Sequence, residues 1–534
     1  MKRRDFIKAT AIAGAGVIAG TGCSSMKKAA PYTGPGFDLH PFIKAHPEAV
    51  FIKLTSVQSK TDSRDIHDAA FNLAGELFVR TSSGGYPNST RITCKPNWTC
   101  NPLVEGKAVP EHLGINTDKN FIEGFCQAVR EKGPQQIYIH ECACPGDWAV
   151  HGWPQMAQAN NFILRDLTSR DFWDYKIGED LHFVKVPNGV VFKEIAFQTP
   201  VNQPDTFLID IAKFKAHGMG ITASIKNLQG LSGKRFHEFC GGSNSIFKNY
   251  YDKRYFPYFH KDYIKHVQEL TKKHVKAGIP RWDKPGEKNY SGGFYMEQWV
   301  QRMLDSLSVT KTGLCMVEGI YGRDGDGFGG GPHDGKAQDY MFNDIIFGLD
   351  PFRVDIITHW LAGHEPGNFG LFHIGIERGM SNVLDPNDIP VYLWDEGKAT
   401  LRKLDTFKRA ELVTYYMQRD YNGQKEPRFH LCNEPFDYSS WKAGKKTAYA
   451  RPSVNDLGKD SRGKQVMEVS LPEKEDVYVD VLNRNGEVVW RLIADGLEPG
   501  IHQVTWDGFG KPGIYTVYVK GMGWDVVRQI ATYS

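Results

Sequence analysis

Short apolar runs alternate with amphipathic stretches early in the chain, and this alternation is the feature that most constrains the fold. The runs at 49–55, 91–95 and 136–141 are rich in β-branched and aromatic residues, which predicts three strands. Between them, Ser63 and Thr117 each precede apolar residues at helical spacing, which predicts two capped helices. Because consecutive strands separated by helices pair in parallel, the sequence predicts an α/β fold with a mostly parallel sheet flanked by helices.

The same alternation continues through the middle of the chain. Further strands are predicted at 206–211 and 313–317, and a helix follows with Asp350 as its N-cap and Gly363 at its end. A chain of 534 residues, 41% of them hydrophobic, can bury the cores of more than one domain. We expect one large α/β domain over residues 46–436.

The last part of the chain has a different pattern. Residues 437–465 are polar and rich in Lys and Gly, which predicts a linker. Residues 466–534 hold short β runs separated by turns such as Asn485-Gly486, which predicts a small antiparallel β-sandwich with Trp506 in its core. The pattern Gly500-x-His502-x-Val504-x-Trp506-Asp507-Gly508 resembles the Ig-like domain of flagellar hook-cap proteins. The resemblance implies a module that docks to other domains or partners.

The N-terminus carries the features of an export signal. Residues 1–22 begin with the pair Arg3-Arg4 and continue into a short, weakly apolar run, which predicts a twin-arginine signal peptide. Cys23 follows in a sequence that resembles a lipobox, so Cys23 is the predicted lipidation site and residues 23–45 the tether. We therefore expect a bacterial protein that is periplasmic or anchored to the membrane as a lipoprotein. Ordinary cleavage, giving a soluble periplasmic protein, is the alternative.

The net charge and the cysteine spacing restrict the kinds of partner and cofactor that we expect. Removing residues 1–22, which hold Lys2, Arg3, Arg4 and Lys8 against Asp5, brings the formal charge of +3 to zero. A neutral chain has no basic field for nucleic acid, and we expect membrane contact only through the lipid anchor. The eight cysteines after the lipobox form no CxxC motif, so no cofactor or metal is assigned. In an oxidising compartment Cys94 and Cys100 are the most local pair for a disulfide.

A basic segment supplies the strongest candidate site. Lys213, Lys215 and His217 are two residues apart, so in an extended strand they project from one face. The helix predicted to start near Thr222 or Ser224 carries Lys226 and Asn227. Clustered basic groups and a helix N-terminus favour an anion. The alternative is a solvated edge strand followed by a surface helix.

Polar residues also follow two other predicted strands. Lys95 and Asn97 come directly after one strand, and Glu141 ends the next. Because ligands bind at the carboxyl ends of strands in open α/β sheets, we expect these side chains to line a site.

A glycine-rich segment after Glu318 is the third candidate. Its backbone amides could cradle an anion, and Asp324, Asp326 and Asp334 could ligate a hard cation. The alternative is a flexible loop with solvated acids. Asp355 lies on an apolar helix face, where a carboxylate needs a cationic partner or a metal.

Taken in chain order, these motifs resemble those of the bacterial and archaeal domain-of-unknown-function family numbered 362. The resemblance covers about residues 49–380. In chain order they are Lys95-Pro96-Asn97, Lys215-x-His217, Lys226-Asn227-x-x-Gly230, Glu318-Gly319-Ile320, Gly331-Pro332 and Gly348-x-Asp350-Pro351-x-x-x-Asp355. The resemblance implies an α/β domain with a site near these motifs, and it implies no reaction.

We expect the protein to be an exported enzyme that binds a small anionic or carbohydrate-like (polyol) substrate. The substrate would be bound by side chains from all three candidate segments, namely Lys95, Asn97, Lys213, Lys215, Asn227 and Glu318. Lys226 or His217 would act as acid or base, and Asp355 would be an orienting partner or a metal ligand. The alternatives are a non-catalytic ligand-binding protein of the cell surface and a metallocofactor or redox protein.

Overall fold

The structure is a computed structural model. It describes residues 32–99, 103–104, 107–108, 110–141, 148–166, 174–233, 257–279, 293–415, 420–421, 424–425, 429–433, 435–443, 453–460, 463–471, 474–483, 485–498, 500–506, 513–521 and 524–532. The predicted signal peptide and Cys23 lie outside these residues. No helix within them is long and apolar enough to cross a membrane.

The first strand lies in residues 23–45, the stretch predicted as a tether, and the next eighteen lie in the part of the chain predicted as one α/β domain. They are β1 (Gly36–Leu39), β2 (Val50–Leu54), β3 (Phe78–Thr81), β4 (Tyr86–Pro87), β5 (Arg91–Pro96), β6 (Leu103–Val104), β7 (Lys107–Ala108), β8 (Ile137–Glu141), β9 (Ile163–Asp166), β10 (Leu181–Lys185), β11 (Glu194–Gln198), β12 (Thr206–His217), β13 (Gly220–Thr222), β14 (Leu314–Arg323), β15 (Gly330–Gly331), β16 (Gly335–Lys336), β17 (Asp339–Gly348), β18 (Val391–Asp395) and β19 (Lys398–Arg402). Four two-residue strands follow: β20 (Thr414–Tyr415), β21 (Asp420–Tyr421), β22 (Gln424–Lys425) and β23 (Phe429–His430).

The α-helices range from one turn to more than four turns. They are α1 (Pro41–Ala45), α2 (Ser63–Leu77), α3 (Lys119–Glu131), α4 (Trp153–Ala159), α5 (Ser224–Leu228), α6 (Tyr263–Ala277), α7 (Gly293–Ser308), α8 (Pro351–Leu361), α9 (Gly370–Glu377) and α10 (Tyr438–Lys442).

One large sheet organises the α/β domain. Its strand order is β19-β18-β2-β17-β14-β12-β5-β8-β9, with β13 paired to β12. The run β14-β12-β5-β8-β9 is parallel throughout, and β18 pairs with β2 in parallel. Strand β17 is antiparallel to both of its neighbours. The predicted α/β fold with a mostly parallel sheet flanked by helices is confirmed.

Helices cover both faces of this sheet and enclose two cores. On one face, α2 and α3 contribute residues such as Leu73 and Phe125 to a core shared with β5 and β8. On the other face, α7 and α8 contribute residues such as Trp299 and Ile357 to a core shared with the opposite side of β12. The carboxyl ends of the central strands therefore lie between two packed helical layers.

Helix capping follows the local sequence with small shifts. The Asp350 carboxylate accepts hydrogen bonds from the amides of Phe352 (2.8 Å) and Arg353 (3.2 Å), so α8 starts where the sequence predicts. Helix α2 is capped by Asp62, the residue before Ser63, and helix α3 is capped by Asp118, the residue after Thr117. The Thr117 hydroxyl oxygen instead accepts from the amide of Asn97 (2.8 Å) and donates to the carbonyl of Ile211 (2.9 Å).

The C-terminal region is all β, as predicted. Its strands are β24 (Ser453–Lys459), β25 (Gln465–Leu471), β26 (Glu475–Leu482), β27 (Val488–Leu497), β28 (Gly500–Trp506), β29 (Gly513–Gly521) and β30 (Trp524–Thr532). They form the antiparallel sheets β24-β25-β28 and β27-β26-β29-β30. Trp506 packs in a core of this region, with its ring 5.2 Å from that of Tyr515. Strand β24 falls inside the stretch predicted as linker.

The described cysteines have buried thiols. These residues are Cys94, Cys126, Cys315 and Cys432, and the first three form no disulfide within the part of the chain that the structure describes. Cys100, the partner proposed for Cys94, lies outside the described residues, as do Cys142, Cys144 and Cys240.

Candidate functional site

A buried ion pair joins the ends of β5 and β8. The ammonium of Lys95 donates to Oε2 of Glu141 (2.6 Å), and the two side chains are only 1% and 2% exposed. The same ammonium donates to the carbonyl of Pro96 (2.6 Å). The amide of Trp98 also donates to Oε2 of Glu141 (2.9 Å). Because a buried ion pair is removed from solvent, its charged atoms need hydrogen-bond partners from the protein. Here these hydrogen bonds fix the positions of the ends of both strands.

Asn227 connects this pair to the short helix α5. Its Oδ1 accepts from the Lys95 ammonium (3.0 Å) and from the side-chain amide of Asn97 (3.2 Å). Its own amide nitrogen donates to the carbonyl of Lys95 (3.1 Å). A Cβ on Gly230 would lie 2.3 Å from an oxygen of Glu141, so only glycine allows this close approach. The predicted residues Lys95, Asn97 and Asn227 are thus in direct contact.

Asp210 is part of the same network, and sequence reasoning missed it. Its Oδ1 accepts from the amide nitrogen of Asn227 (2.8 Å). Burial raises the pKa of Asp210 to about 7, although Lys95 and the side chains of Ser224 and Asn227 favour the charged form. The available signal was a lone carboxylate inside the apolar run of β12.

Asp355 holds the start of α5. Its two oxygens accept from the amides of Ser224 (2.8 Å) and Ile225 (3.0 Å). Burial raises the pKa of Asp355 well above its usual range, and these two amide hydrogen bonds oppose that rise. The His359 ring donates from Nδ1 to the carbonyl of Asp355 (2.7 Å) and accepts at Nε2 from the amide of Ile221 (3.2 Å). Asp355 therefore orients the helix that carries Lys226 and Asn227.

Three basic side chains converge on two aromatic rings beyond α5. The His217 ring lies 5.0 Å from the ring of Trp299, edge-on at 82°. The Lys226 ammonium lies 6.0 Å from the same Trp299 ring. The Lys215 ammonium lies 4.9 Å from the ring of Phe328, which is also 6.2 Å from His217. All three side chains are buried, and we call Lys215, His217, Lys226, Trp299 and Phe328 the basic–aromatic cluster.

Lys213 lies elsewhere, although the sequence predicted it on the same face as Lys215 and His217. Its ammonium donates to Oε2 of Glu318 (2.5 Å) and lies 3.3 Å from the ring centroid of Tyr321. Lys213 pairs with Glu318 and Lys215 with Arg323, so the extra residues between these two positions lie on β14 rather than on β12. Burial raises the pKa of Glu318, while Lys213 opposes the rise. Lys213 and Glu318 form an ion pair apart from the basic–aromatic cluster.

Backbone amides of the glycine-rich segment after β14 donate hydrogen bonds to acceptors within the same segment. The amide of Asp326 donates to Gly330, that of Gly327 to Asp324, and that of Phe328 to the Asp326 carboxylate. The expectation that these amides cradle an anion is therefore wrong for these positions. Across the described ranges, no three His, Cys, Asp or Glu side chains come together as metal ligands would.

A protein-family model matches the part of the chain that holds these residues. The model of the family described as Domain of unknown function (DUF362) matches residues 92–359. This span contains Lys95, Asn227, the basic–aromatic cluster and Asp355. A search of curated proteins finds no match.

Proposed function

Since the chain belongs to the DUF362 family, whose description leaves the reaction open, we propose a function from the geometry of this chain. We propose that it is an enzyme that binds an anionic or polyol substrate at the carboxyl ends of the parallel strands. The earlier resemblance to this family is confirmed by the match, whereas the activity is our inference.

The observation that carries the proposal is the convergence of Lys215, His217 and Lys226 on Trp299 and Phe328. Neighbouring basic side chains in a buried place give it a positive potential, which attracts a small anion. An aromatic ring beside them offers a flat apolar face for the ring or carbon chain of a polyol. Both features favour a small, hydroxyl-bearing anion over a large partner.

Neighbouring polar atoms supply further contacts for such a ligand. Within the part of the chain that the structure describes, Oδ1 of Asn97 and Oγ1 of Thr222 are buried and accept or donate no hydrogen bond. Buried polar atoms of this kind are usually satisfied by water or a ligand. Substrate hydroxyl groups could satisfy them, which would select a polyol.

The acid–base roles follow from position. The amide of Met219 donates to Nδ1 of His217 (3.4 Å), so the proton of the neutral His217 ring is on Nε2. His217 would hydrogen-bond a substrate oxygen through this N–H, and Lys226 would act as acid or base or as an electrostatic stabiliser of developing negative charge. Asp355 and the Lys95–Glu141 pair would hold α5 in the geometry that this requires.

Export is the second part of the proposal. The twin-arginine sequence at Arg3-Arg4 and the lipobox around Cys23 support a protein carried out of the cytoplasm and anchored by lipid. The two C-terminal sheets support an Ig-like sandwich that docks to a partner. Sodium dodecyl sulfate gels with a labelled fatty acid would show Cys23 acylation, and Cys23→Ala would abolish it.

The experiment that tests the proposed activity is native mass spectrometry of protein purified after natural export. We expect a small anionic compound on the wild-type chain, absent from Lys226→Ala and retained by Lys272→Ala, a control at an exposed lysine. The identified compound then becomes the substrate for turnover assays.

The turnover assay separates the alternatives. An enzyme predicts that Lys226→Ala keeps its fold, by circular dichroism, and loses turnover by about 10²-fold or more. A ligand-binding protein predicts weaker affinity with no turnover in either variant. A bound metal or chromophore in elemental and absorption analysis would instead support the redox alternative.

A further inference from the structure

A carboxylate–imidazole–phenol cluster lies on the glycine-rich segment, outside the basic–aromatic cluster. The Nε2 atom of His333 is 2.6 Å from Oδ2 of Asp324 and 2.9 Å from the hydroxyl of Tyr340. The Tyr340 hydroxyl donates to the same Asp324 oxygen (3.1 Å). The Asp324 side chain is 2% exposed, whereas that of His333 is 36% exposed. A buried carboxylate thus holds a solvent-facing imidazole.

The hydrogen bonds determine which ring nitrogen of His333 is reactive. Asp324 accepts at Oδ1 from the amide of Gln338 (2.7 Å) and at Oδ2 from Tyr340. Burial and the Asp324 charge raise the pKa of Tyr340 to about 12, so the phenol keeps its proton and acts as a donor. Asp324 is therefore an acceptor, and Nε2 of His333 donates to it. The lone pair of the neutral ring is then on Nδ1, away from the carboxylate.

Strands β15 and β16 keep this ring in place. They form a hairpin that pairs Gly331 with Gly335, and the main chain of His333 exchanges hydrogen bonds with that of Lys336 (3.1 and 2.9 Å). Asp334 at the tip has a φ of +50°. Such a tight hairpin restricts the backbone of His333, so the imidazole is preorganised without help from a ligand.

We propose that His333 is a general base, positioned by Asp324 and Tyr340, that activates water for the hydrolysis of a carboxylic ester. Nδ1 takes a proton from water while the water oxygen bonds to the acyl carbon. The tetrahedral intermediate then expels the alcohol oxygen, which receives the proton from Nδ1, so that one ester and one water give one acid and one alcohol. The Asp324 carboxylate accepts the Nε2–H hydrogen bond and stabilises the imidazolium that forms between these steps. The half-exposed ring of Tyr340 gives the acyl group an apolar surface.

Two measurements on the full chain test this proposal. The first is the hydrolysis of p-nitrophenyl acetate, followed by release of p-nitrophenolate. We expect His333→Gln to lower the protein-catalysed rate by about tenfold or more, and His266→Gln, a control at an exposed histidine of α6, to leave it unchanged. The second is carbethoxylation of the wild-type protein by diethyl pyrocarbonate, with each histidine mapped by mass spectrometry. We expect His333 to react several-fold faster than His266.

The positioning role of Asp324 has its own readout. Asp324→Asn removes the charge that stabilises the imidazolium, so it should lower the ester hydrolysis rate while His333 remains open to carbethoxylation. A rate in His333→Gln equal to that of the wild type would overturn the proposal, as would equal carbethoxylation of His333 and His266. If Asp324→Asn keeps the full rate, Asp324 is only structural and the assignment is wrong.

Discussion

The buried pair Lys95–Glu141 gives the sharpest stability prediction. Lys95→Met removes an ammonium that makes contacts of 2.6, 3.0 and 2.6 Å with Glu141, Asn227 and Pro96. The Glu141 carboxylate, 2% exposed, then loses its cationic partner and keeps the Trp98 amide as a donor. Removing one partner of a buried ion pair costs about 3–5 kcal/mol, so we expect a loss of that size in the free energy of unfolding of the α/β domain.

A double-mutant cycle separates this cost from the value of the contacts. Replacing both partners, in Lys95→Met/Glu141→Leu, removes both charges, so the double variant should be more stable than either single variant and the coupling should be at least about 2 kcal/mol. The assay is urea unfolding followed by tryptophan fluorescence. Lys53→Met is the control, because the ion pairs of Lys53 with Glu76 (3.4 Å) and Asp395 (3.2 Å) are partly exposed and each should contribute less than about 1 kcal/mol. A Lys95→Met variant within 1 kcal/mol of the wild type, or additive single effects, would refute the reasoning.

Three further predictions follow from individual residues. Because the folded-state pKa of Asp210 is raised to about 7 from 3.8, folding favours its protonated form, and wild-type stability should fall as the pH rises from about 4 to 7. In urea titrations, Asp210→Asn should weaken this pH dependence and be more stable than the wild type by up to about 4 kcal/mol at pH 8. Equal pH profiles of the two proteins would contradict the prediction. Gly220 has a φ of +120°, and a Cβ there would lie 2.6 Å from Nε2 of His359. Gly220→Ala should therefore lower the free energy of unfolding by about 2–4 kcal/mol, measured by thermal denaturation. An unchanged melting temperature would contradict this prediction. Trp506→Ala should destabilise the C-terminal sheets by about 3–5 kcal/mol in calorimetry, and no change there would contradict its place in the core.

Much of the fold could be predicted because its signals are local. The strands at 49–55 and 136–141 are apolar runs whose period needs no tertiary information, and structure confirms them as β2 and β8. The Asp350-Pro351 start of α8 is a capping signal carried by neighbouring residues. The sites of Lys95 and Asn97 follow from the rule that parallel strands present their carboxyl ends at one edge.

The partners of the site residues could not be predicted in this way. Trp299 lies 73 positions after Lys226 in a region without a clear period, so no local pattern brings the two together. The ion pair of Lys213 with Glu318 depends on the pairing of β12 with β14, which the sequence of β12 does not contain. The burial that raises the pKa of Asp210 likewise arises only when the helices cover the sheet.

The most direct measurement of the central idea is the anomalous scattering of a crystal soaked in bromide, compared between the wild type and Lys226→Ala. A halide reports where the protein binds small anions, without knowledge of the natural ligand. If Lys215, His217 and Lys226 form an anion site, the strongest bromide peak should lie beside Trp299 in the wild type and be lost in Lys226→Ala. A strongest bromide peak elsewhere, or a peak beside Trp299 that persists in Lys226→Ala, would contradict it.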